Sequence, residues 1–411
     1  MREEHMKIVI VGHVDHGKST LIGRLLYDTN SLPEGKIDEI KKTCKALGKE
    51  LEFAYILDAL EEEREQNITI DTTQTFFKTK KRNYVIIDAP GHKEFLKNMI
   101  TGASLAEAAI LIVKAEEGLR EQTKRHAYIL SMLGLNQIIV VINIFDLSKY
   151  TKKKFNSLKD EILKFLSLLN LKPSYIIPIS AKEGDNIAKK SKKISWYKSL
   201  TLLEALDTFK TKENDINKAL RFPVQDVYKI NDRRIIVGRI EAGKIAKGDK
   251  IILLPSNKMS YVNSIEVFNK KKEKAEVGES IGITIKDPLF IDRCQVICHT
   301  NNLPKIASEF KAKVFWMAKE NLNINERLTL RCATQEVGCS IKKIIKRINS
   351  STLEVIQKNS KRLEETEVGD VVIKVNEPIV IENFNNVTEL GRFVLVKGYD
   401  VVAGGIITNT P

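Results

Sequence analysis

The chain has 411 residues, of which 43% are hydrophobic and 29% are charged. This length indicates two or three domains, and the composition is that of a globular protein with a sizeable core. No apolar run reaches the roughly 18 residues that a membrane span needs, and the N-terminus lacks the apolar stretch of a signal peptide. Five scattered cysteines do not suggest a disulfide framework. We therefore expect a cytoplasmic protein without a membrane partner.

The net charge of +14 leaves the class of partner open. Basic chains often bind nucleic acid or acidic surfaces. The lysines cluster in runs, such as 152–154 and 270–272, that lack interleaved aromatic residues able to stack on bases. This pattern favours solvated lysine faces over a nucleic-acid partner, but the charge alone does not decide the question.

The first motif in the chain is a phosphate loop. An apolar, β-branched run from Ile8 to Val11 predicts a strand, and G-x-x-x-x-G-K-S follows from Gly12, with a helical segment behind it. Glycines let the backbone wrap a phosphate, so that loop N–H groups and the helix N-terminus point at the anion. Lys18 would reach the β- and γ-phosphates, and the Ser19 hydroxyl would ligate magnesium. The sequence therefore predicts a nucleoside triphosphate site.

Two further segments are predicted to sense the γ-phosphate. Thr69 lies between the phosphate loop and the next acidic strand end, where a mobile segment can offer its hydroxyl to magnesium. The apolar strand 84–88 ends in Asp88, which can hold magnesium directly or through water, as Walker-B acids do. Gly91 can donate its N–H to the γ-phosphate, and His92 could position the attacking water.

The following strands predict a guanine site. Short apolar strands alternate with amphipathic helices, which indicates a parallel sheet with helices on both faces. One strand ends at Asn143, and the carboxylate of Asp146 can accept two N–H bonds from the edge of guanine, a pattern that adenine does not offer. Asn143 would brace the neighbouring loops, and the Ala181 N–H, in the segment 180–184, can donate to the guanine oxygen. We predict a GTPase domain over 1–215 that binds GTP or GDP with Mg²⁺.

The second half of the chain has a different pattern. From about residue 222, short strands separated by glycine turns predict a small closed β-barrel over 216–304 and a second one over 305–411. Neither barrel shows a catalytic constellation of its own. The predicted fold is thus multidomain: an α/β P-loop GTPase domain with a parallel-rich sheet, followed by two β-barrel domains.

Two motifs, Gly12-His-Val-Asp-His-Gly-Lys-Ser19 and Asp88-Ala-Pro-Gly-His92, resemble the translation-factor superfamily of GTPases, which includes the elongation factors that deliver aminoacyl-tRNA. Within it, the chain looks most like the large subunit of bacterial sulfate adenylyltransferase, in the segments 63–71, 98–104, 122–126, 221–225, 315–317 and 391–396. That resemblance implies a GTPase that drives formation of adenylyl sulfate from ATP and sulfate. The adenylylation would reside in a separate catalytic subunit, joined in a heterodimer or higher assembly.

The resemblance also implies roles at matching positions. It places phosphate contacts at Asp15, His16, Gly17, Lys18, Ser19 and Thr20. It places magnesium at Ser19 and Thr69, water positioning at His92, and guanine contacts at Asn143, Asp146, Ser180 and Ala181, beside Lys182. Val14 and Ile68 match the apolar pair that limits access of the histidine to the γ-phosphate.

The chain departs from the superfamily pattern at two positions. Ile144 stands where a lysine usually packs on the guanine ring, and Asn67 replaces the glycine before Ile-Thr. An aliphatic side chain can still cover the ring, and asparagine tolerates left-handed conformations better than most residues. We expect weaker nucleotide binding with the guanine preference retained through Asp146.

Two alternatives to the sulfate reading remain open. The shared motifs and the positive charge also fit an elongation-factor-like protein that delivers aminoacyl-tRNA to the ribosome, and only then is tRNA a partner. Ile144 and Asn67 fit a switch that binds GTP as a structural ligand. The sequence favours the sulfate subunit.

Overall fold

A computed structural model describes residues 5–32, 35, 38, 53, 74–88, 106–144, 151–210, 215–230, 233–267 and 270–409. The chain divides into two compact units, Met1–Thr211 and Lys212–Pro411. The first unit combines a mostly parallel sheet with helices, and the second consists of β-barrels. The predicted fold class is confirmed.

The sheet of the first unit has the strand order β2-β3-β1-β4-β5-β6. Its strands are β1 His5–Gly12, β2 Gln74–Lys78, β3 Asn83–Asp88, β4 Ala108–Lys114, β5 Ile138–Asn143 and β6 Tyr175–Ile179. Only β2 runs antiparallel to its neighbour, and the other pairs are parallel. Strands buried on both faces read as continuous apolar runs. In β1, for example, Ile8 and Ile10 join the core cluster on one face, while Val9 and Val11 are equally inaccessible to solvent.

The described helices of the first unit are α1 Lys18–Asp28, α2 Glu121–Met132, α3 Lys152–Leu168 and α4 Leu202–Leu206. α1 buries Leu21, Leu25 and their neighbours against the core because these residues recur at helical spacing. Thr201 begins α4 with a capping box, in which its hydroxyl and the Glu204 carboxylate each bond the other residue's backbone N–H. Among the helices in the described ranges, none is long and apolar enough to cross a membrane.

The second unit begins with a short 3₁₀ turn, Asp215–Asn217, and a six-stranded closed barrel. The strands of this region, six of which form the barrel, are β7 Phe222–Ile230, β8 Arg233–Arg239, β9 Lys244–Ala246, β10 Lys250–Leu254, β11 Lys258–Val267, β12 Lys270–Lys272, β13 Lys274–Glu276, β14 Ser280–Ile285 and β15 Val296–His299. The order β10-β15-β7-β8-β14-β11 closes because β10 also pairs with β11. β12 extends the sheet beyond β11, and β9 pairs with β13. Closure leaves the ring without open edges.

A second ring follows in the order β18-β23-β24-β16-β22-β19 and closes through β18 and β19. Its segments are β16 Lys305–Trp316, β17 Leu322–Asn323, β18 Arg327–Cys332, β19 Gln335–Asn349, β20 Val355–Ser360, β21 Arg362–Leu363, β22 Glu367–Ile381, α5 Thr388–Gly391, β23 Arg392–Lys397 and β24 Asp400–Asn409. A buried cluster that includes Leu254, Cys298 and Val380 joins the two barrels. They therefore pack on each other within the second unit.

Candidate nucleotide site

The carboxyl ends of the parallel strands place the predicted motifs at one edge of the sheet. Asp88 lies opposite Ile10 of β1, and Lys114 of β4 lies opposite Asn143 of β5. Open parallel sheets bind their ligands outside these strand ends. Of the predicted motifs, the parts that the structure describes, namely the phosphate loop, the backbone of Asp88 and Asn143, thus converge on one region of the fold.

The loop after β1 has the backbone shape that an anion site requires. Asp15 and Gly17 adopt left-handed conformations, with φ of 62° and 89°. Gly17 is also the N-cap of α1 and supplies no side-chain bond to the helix N-terminus. The Lys18 ammonium folds back over the loop and donates to the carbonyls of Gly12 (3.0 Å) and His13 (2.9 Å). This arrangement leaves the helix dipole and the loop N–H groups for phosphate.

The remaining loop residues surround this cradle. Ser19 and Thr20 are half-buried in the first turn of α1, Val14 is half-buried, and Asp15 is exposed. A Cβ at Gly12 would lie 2.5 Å from the Ile112 carbonyl oxygen, so only glycine lets β1 end this close to β4. The predicted Ser19 ligand therefore lies at the helix N-terminus beside the loop, where a phosphate-bound magnesium would need it.

His16 anchors the loop to the end of β4. Its ring is fully buried, and Nδ1 lies 3.3 Å from the Lys114 backbone nitrogen and 3.4 Å from the Ile112 carbonyl oxygen. Nε2 lies 3.8 Å from Oε2 of Glu117. Burial lowers the pKa of His16 to about 4, so the ring is neutral. Its side chain points into the protein, which leaves the backbone for the predicted phosphate contact.

Asn143 connects the phosphate loop to the segment 180–184, as expected of a brace. Its Nδ2 donates to the His16 carbonyl (2.9 Å), and its Oδ1 accepts from the Ala181 N–H (3.0 Å). The side chain is 3% exposed, so both bonds are shielded from water. The Ala181 N–H, predicted to donate to guanine, thus already has an acceptor, and a bond to the base would have to be shared.

The other residues predicted near the base differ in exposure. Ser180 is buried, and its hydroxyl accepts a bond from the Glu183 N–H (3.3 Å), while Lys182 is exposed. Ile144 is 1% exposed and its N–H donates to the Ile179 carbonyl (2.8 Å). Its side chain is therefore buried in the protein, and its coverage of the guanine ring stays a prediction.

Several predicted site residues lie outside the part of the chain that the structure describes: Asn67, Ile68, Thr69, Gly91, His92 and Asp146. Asp88 is described through its backbone, as the last residue of β3. Within the described ranges, no group of three or more His, Cys, Asp or Glu side chains could hold a metal.

The structure adds residues that sequence reasoning missed. Glu117 joins His16 to two cations, since its carboxylate lies 2.7 Å from Nζ of Lys114 and 3.2 Å from Nε of Arg120. His126 of α2 is buried near the loop, where burial and the charge of Lys18 lower its pKa to about 3. These residues lie on separate strands and helices, so no local sequence pattern predicts their contacts.

Comparison with known proteins agrees with this geometry. Residues 3–212 match the elongation factor Tu GTP binding domain, residues 233–298 match elongation factor Tu domain 2, and residues 309–408 match the GTP-eEF1A C-terminal domain-like family. Elongation factor 1-alpha of Methanothermobacter thermautotrophicus is 38% identical over 100% of the chain and 98% of its own length. The protein of that name from Metallosphaera sedula is 39% identical over 99% and 98%, and that from Pyrococcus furiosus 38% over 98% and 97%.

The fold and the phosphate loop define a GTP-binding protein of the translation-factor superfamily, which confirms the broader resemblance. The chain belongs to the elongation factor Tu and 1-alpha family. It binds GTP and GDP with Mg²⁺, and it is a GTP hydrolase.

The narrower resemblance to sulfate adenylyltransferase is wrong, because relatives aligned over the full chain are named elongation factor 1-alpha. The predicted sulfate-activating function and the predicted catalytic-subunit partner are therefore wrong as well. So is the prediction that a nucleic-acid partner is disfavoured. The physical reason lies in the segments that carried the resemblance. Phe315, Trp316 and Leu395 are at most 1% exposed. They are barrel core residues, which report how a barrel packs rather than what it binds.

Proposed function

We propose that the chain acts in translation elongation, binding aminoacyl-tRNA in its GTP state and delivering it to the ribosome. The relatives carry the name of an elongation factor over the full length of the chain. The structural observation that supports the proposal is a basic cavity on the first barrel, which we call the barrel groove.

The barrel groove has a volume of about 970 Å³. Its charged lining comprises Lys229, Arg233, Arg234, Lys247, Lys272 and Lys286, against Glu266, Glu273 and Asp287. Lys247 lies 3.6 Å from Glu273, and Lys272 bonds Glu279. Basic side chains outnumber acidic ones, which favours a phosphate-bearing ligand.

An aromatic ring completes the groove. Phe290 is 73% exposed, and the guanidinium carbon of Arg234 lies 4.9 Å from its ring centroid. Apolar side chains, including Ile236 and Leu289, line the same cavity. An exposed ring beside a stacked arginine offers a π-face and a cation, the two groups that hold unpaired bases. The groove therefore suits the single-stranded end of a nucleic acid such as tRNA.

The nucleotide site would supply the switch. In it, Asp15 to Thr20 hold the phosphates with Gly91, and Ser19, Thr69 and Asp88 hold magnesium. Guanine is recognised by Asn143, Asp146 and the segment 180–182. His92 positions the attacking water, with Val14 and Ile68 limiting its access. The loop geometry and the Asn143 bonds support these assignments.

We further propose that this switch domain covers 1–215 and that the barrels are separate domains over 216–304 and 305–411. Each barrel closes on its own set of strands, and each has its own core cluster. A core of its own is what a domain requires.

The test is filter binding of aminoacyl-tRNA to the full chain with a non-hydrolysable GTP analogue or with GDP, across a salt series. We expect salt-sensitive binding in the GTP-analogue state. Phe290→Ala should weaken it roughly 5- to 150-fold, the loss of about 1–3 kcal/mol that one stacked base contributes. GDP affinity should not change.

Tyr399→Ala is the matched control, since this ring is fully exposed on the second barrel, away from the groove. Binding that shows no salt dependence, or no preference for the GTP-analogue state, would contradict the proposal. If both variants lose the same affinity for aminoacyl-tRNA, the barrel groove is not the tRNA-binding surface.

A further inference from the structure

We propose that Arg24, on α1, is a positioning residue for the segment 180–184, here called the guanine loop, and thereby contributes to selecting guanine over other bases. The inference rests on the proposed assignment of Ser180 to Lys182 to the base. Arg24 makes no contact with the nucleotide in this proposal. It acts through the backbone of the guanine loop.

Two hydrogen bonds direct the Arg24 guanidinium toward that loop. Nε donates to Oδ1 of Asp28, one turn further along α1 (2.9 Å). Nη1 donates to the backbone carbonyl of Lys182 (3.4 Å), which lies 158 positions away in the sequence. The Asp28 carboxylate thus fixes the planar group in an orientation from which its far side reaches the guanine loop.

Aromatic rings also contact the guanidinium. Its carbon lies 4.9 Å from the ring centroid of Phe53 and 5.5 Å from that of Tyr27. The two rings contact each other edge to face, with centroids 5.3 Å apart. A flat, weakly hydrated cation packs on such rings, whereas the compact ammonium of lysine would leave much of this contact unmade. The rings therefore help to hold the guanidinium in place.

Gly184 provides the closest approach between Arg24 and the guanine loop. It has a φ of +83°, and a Cβ built there would lie 2.1 Å from Nη2 and 2.3 Å from Cζ of Arg24. The Gly184 N–H donates to the Ser180 carbonyl (2.7 Å), which closes the loop into a tight turn. A displacement at Gly184 is therefore passed to Ser180.

The guanine loop is thus held from two directions. Asn143 accepts the Ala181 N–H on one side, and Arg24 packs on Gly184 and bonds Lys182 on the other. Asn143 also bonds the phosphate loop, so its loss would disturb both halves of the site. Of these two loops, Arg24 contacts the guanine loop. Its removal should therefore affect recognition of guanine while sparing the phosphates.

The experiment measures the Kd of the full chain for GDP, and for ADP by competition. ADP offers the same ribose and diphosphate without the guanine edge. Arg24→Ala should weaken GDP binding about tenfold and leave ADP binding unchanged, because only the base side loses its support. Arg24→Lys, which keeps the charge but not the planar group, should give a smaller loss. Lys124→Ala is the control, since it removes a cation 5.6 Å from the Phe165 ring centroid in the same unit.

Gly184→Ala provides the complementary variant. Alone, its Cβ would displace the guanidinium and weaken GDP binding. Combined with Arg24→Ala, it should add little beyond the cost of a left-handed φ, since the space is then empty. If the two substitutions raise the Kd for GDP by factors that simply multiply in the double variant, the inference is overturned.

Two other results would also overturn it: GDP binding of Arg24→Ala equal to that of the control, or equal losses for GDP and ADP. If Arg24→Ala does not fold, Arg24→Lys carries the same comparison. A wild-type chain without preference for GDP over ADP would instead refute the guanine assignment itself.

Discussion

The two units of the chain place their buried polar side chains for different purposes. In the first unit, His16 and Asn143 are buried at the edge of the sheet. The His16 ring lies against the backbone at the end of β4, and Asn143 bonds the backbone of two loops at the candidate nucleotide site. In the second, Arg221 bonds Glu382, 161 positions away, and Arg347 of β19 bonds Glu367 of the neighbouring strand β22. The groups that we propose bind tRNA in the second unit line the barrel groove instead. Buried polarity therefore positions a ligand site in one unit and holds the fold in the other.

The strongest test of this difference is Arg221→Ala. Arg221 is 3% exposed and donates to Glu382 (2.6 and 2.8 Å) and to the carbonyls of Leu220 (2.9 Å) and Asn302 (3.0 Å). Removing it leaves the Glu382 carboxylate, 12% exposed, without its cation. We expect the second unit to lose about 3–5 kcal/mol of stability, with GDP affinity unchanged.

Urea unfolding can follow each unit separately, since Trp196 and Trp316 lie in different units. A Trp196→Phe background reports the second unit through the buried Trp316. Arg331→Ala is the control, because its ion pair with Glu336 is half exposed on both sides and should contribute less than about 1 kcal/mol. Similar losses for the two variants would contradict a structural role for the buried pair.

Asn143→Ala should show the opposite pattern. It deprives the His16 carbonyl and the Ala181 N–H of their buried partner, at a cost of about 1–3 kcal/mol. Because both groups belong to loops of the nucleotide site, we expect GDP dissociation to accelerate at least about tenfold. The stability of the second unit should remain as it was.

Stopped-flow release of a fluorescent GDP analogue measures this effect. Asn186→Ala is a useful comparison, since Asn186 is equally buried in the first unit but bonds Pro178 and Ser191 instead of the phosphate loop. If both variants release GDP equally fast, then Asn143 acts through general stability and not through the site.

The same contrast explains how far sequence reasoning reached. The phosphate loop, its helix and Asn143 were predictable because each function is encoded in a short local pattern, and the structure places them at one sheet edge. The barrel groove was missed because its lining comes from strands spread over 227–291. Arg234 and Phe290 are 56 positions apart, so a search for aromatics interleaved with lysine runs could not detect their stacking. The burial of Ile144 was not predictable from the sequence either, because it depends on tertiary packing.

The smallest expected difference between the two units is in how much stability each loses on mild acidification. Burial lowers the pKa of His16 to about 4 and that of His126 to about 3. The unfolded chain takes up these protons near pH 6.5, whereas the folded unit does so only at much lower pH. The two buried neutral rings therefore contribute their full stability above pH 6.5. This contribution is lost as the pH falls from 6.5 toward the pKa values of the folded state.

Between pH 7.5 and 6.0, each of these histidines should cost the first unit about 1 kcal/mol. Carboxylates hardly titrate in this window. The only histidine in the sequence of the second unit is His299, which is half-buried beside the Asp249 carboxylate (3.0 Å). Urea midpoints followed through Trp196 in a Trp316→Phe background should fall with pH, and those followed through Trp316 should not. His126→Asn should remove about half of that fall, because His16 would then be, within the described ranges, the one remaining histidine whose pKa burial lowers.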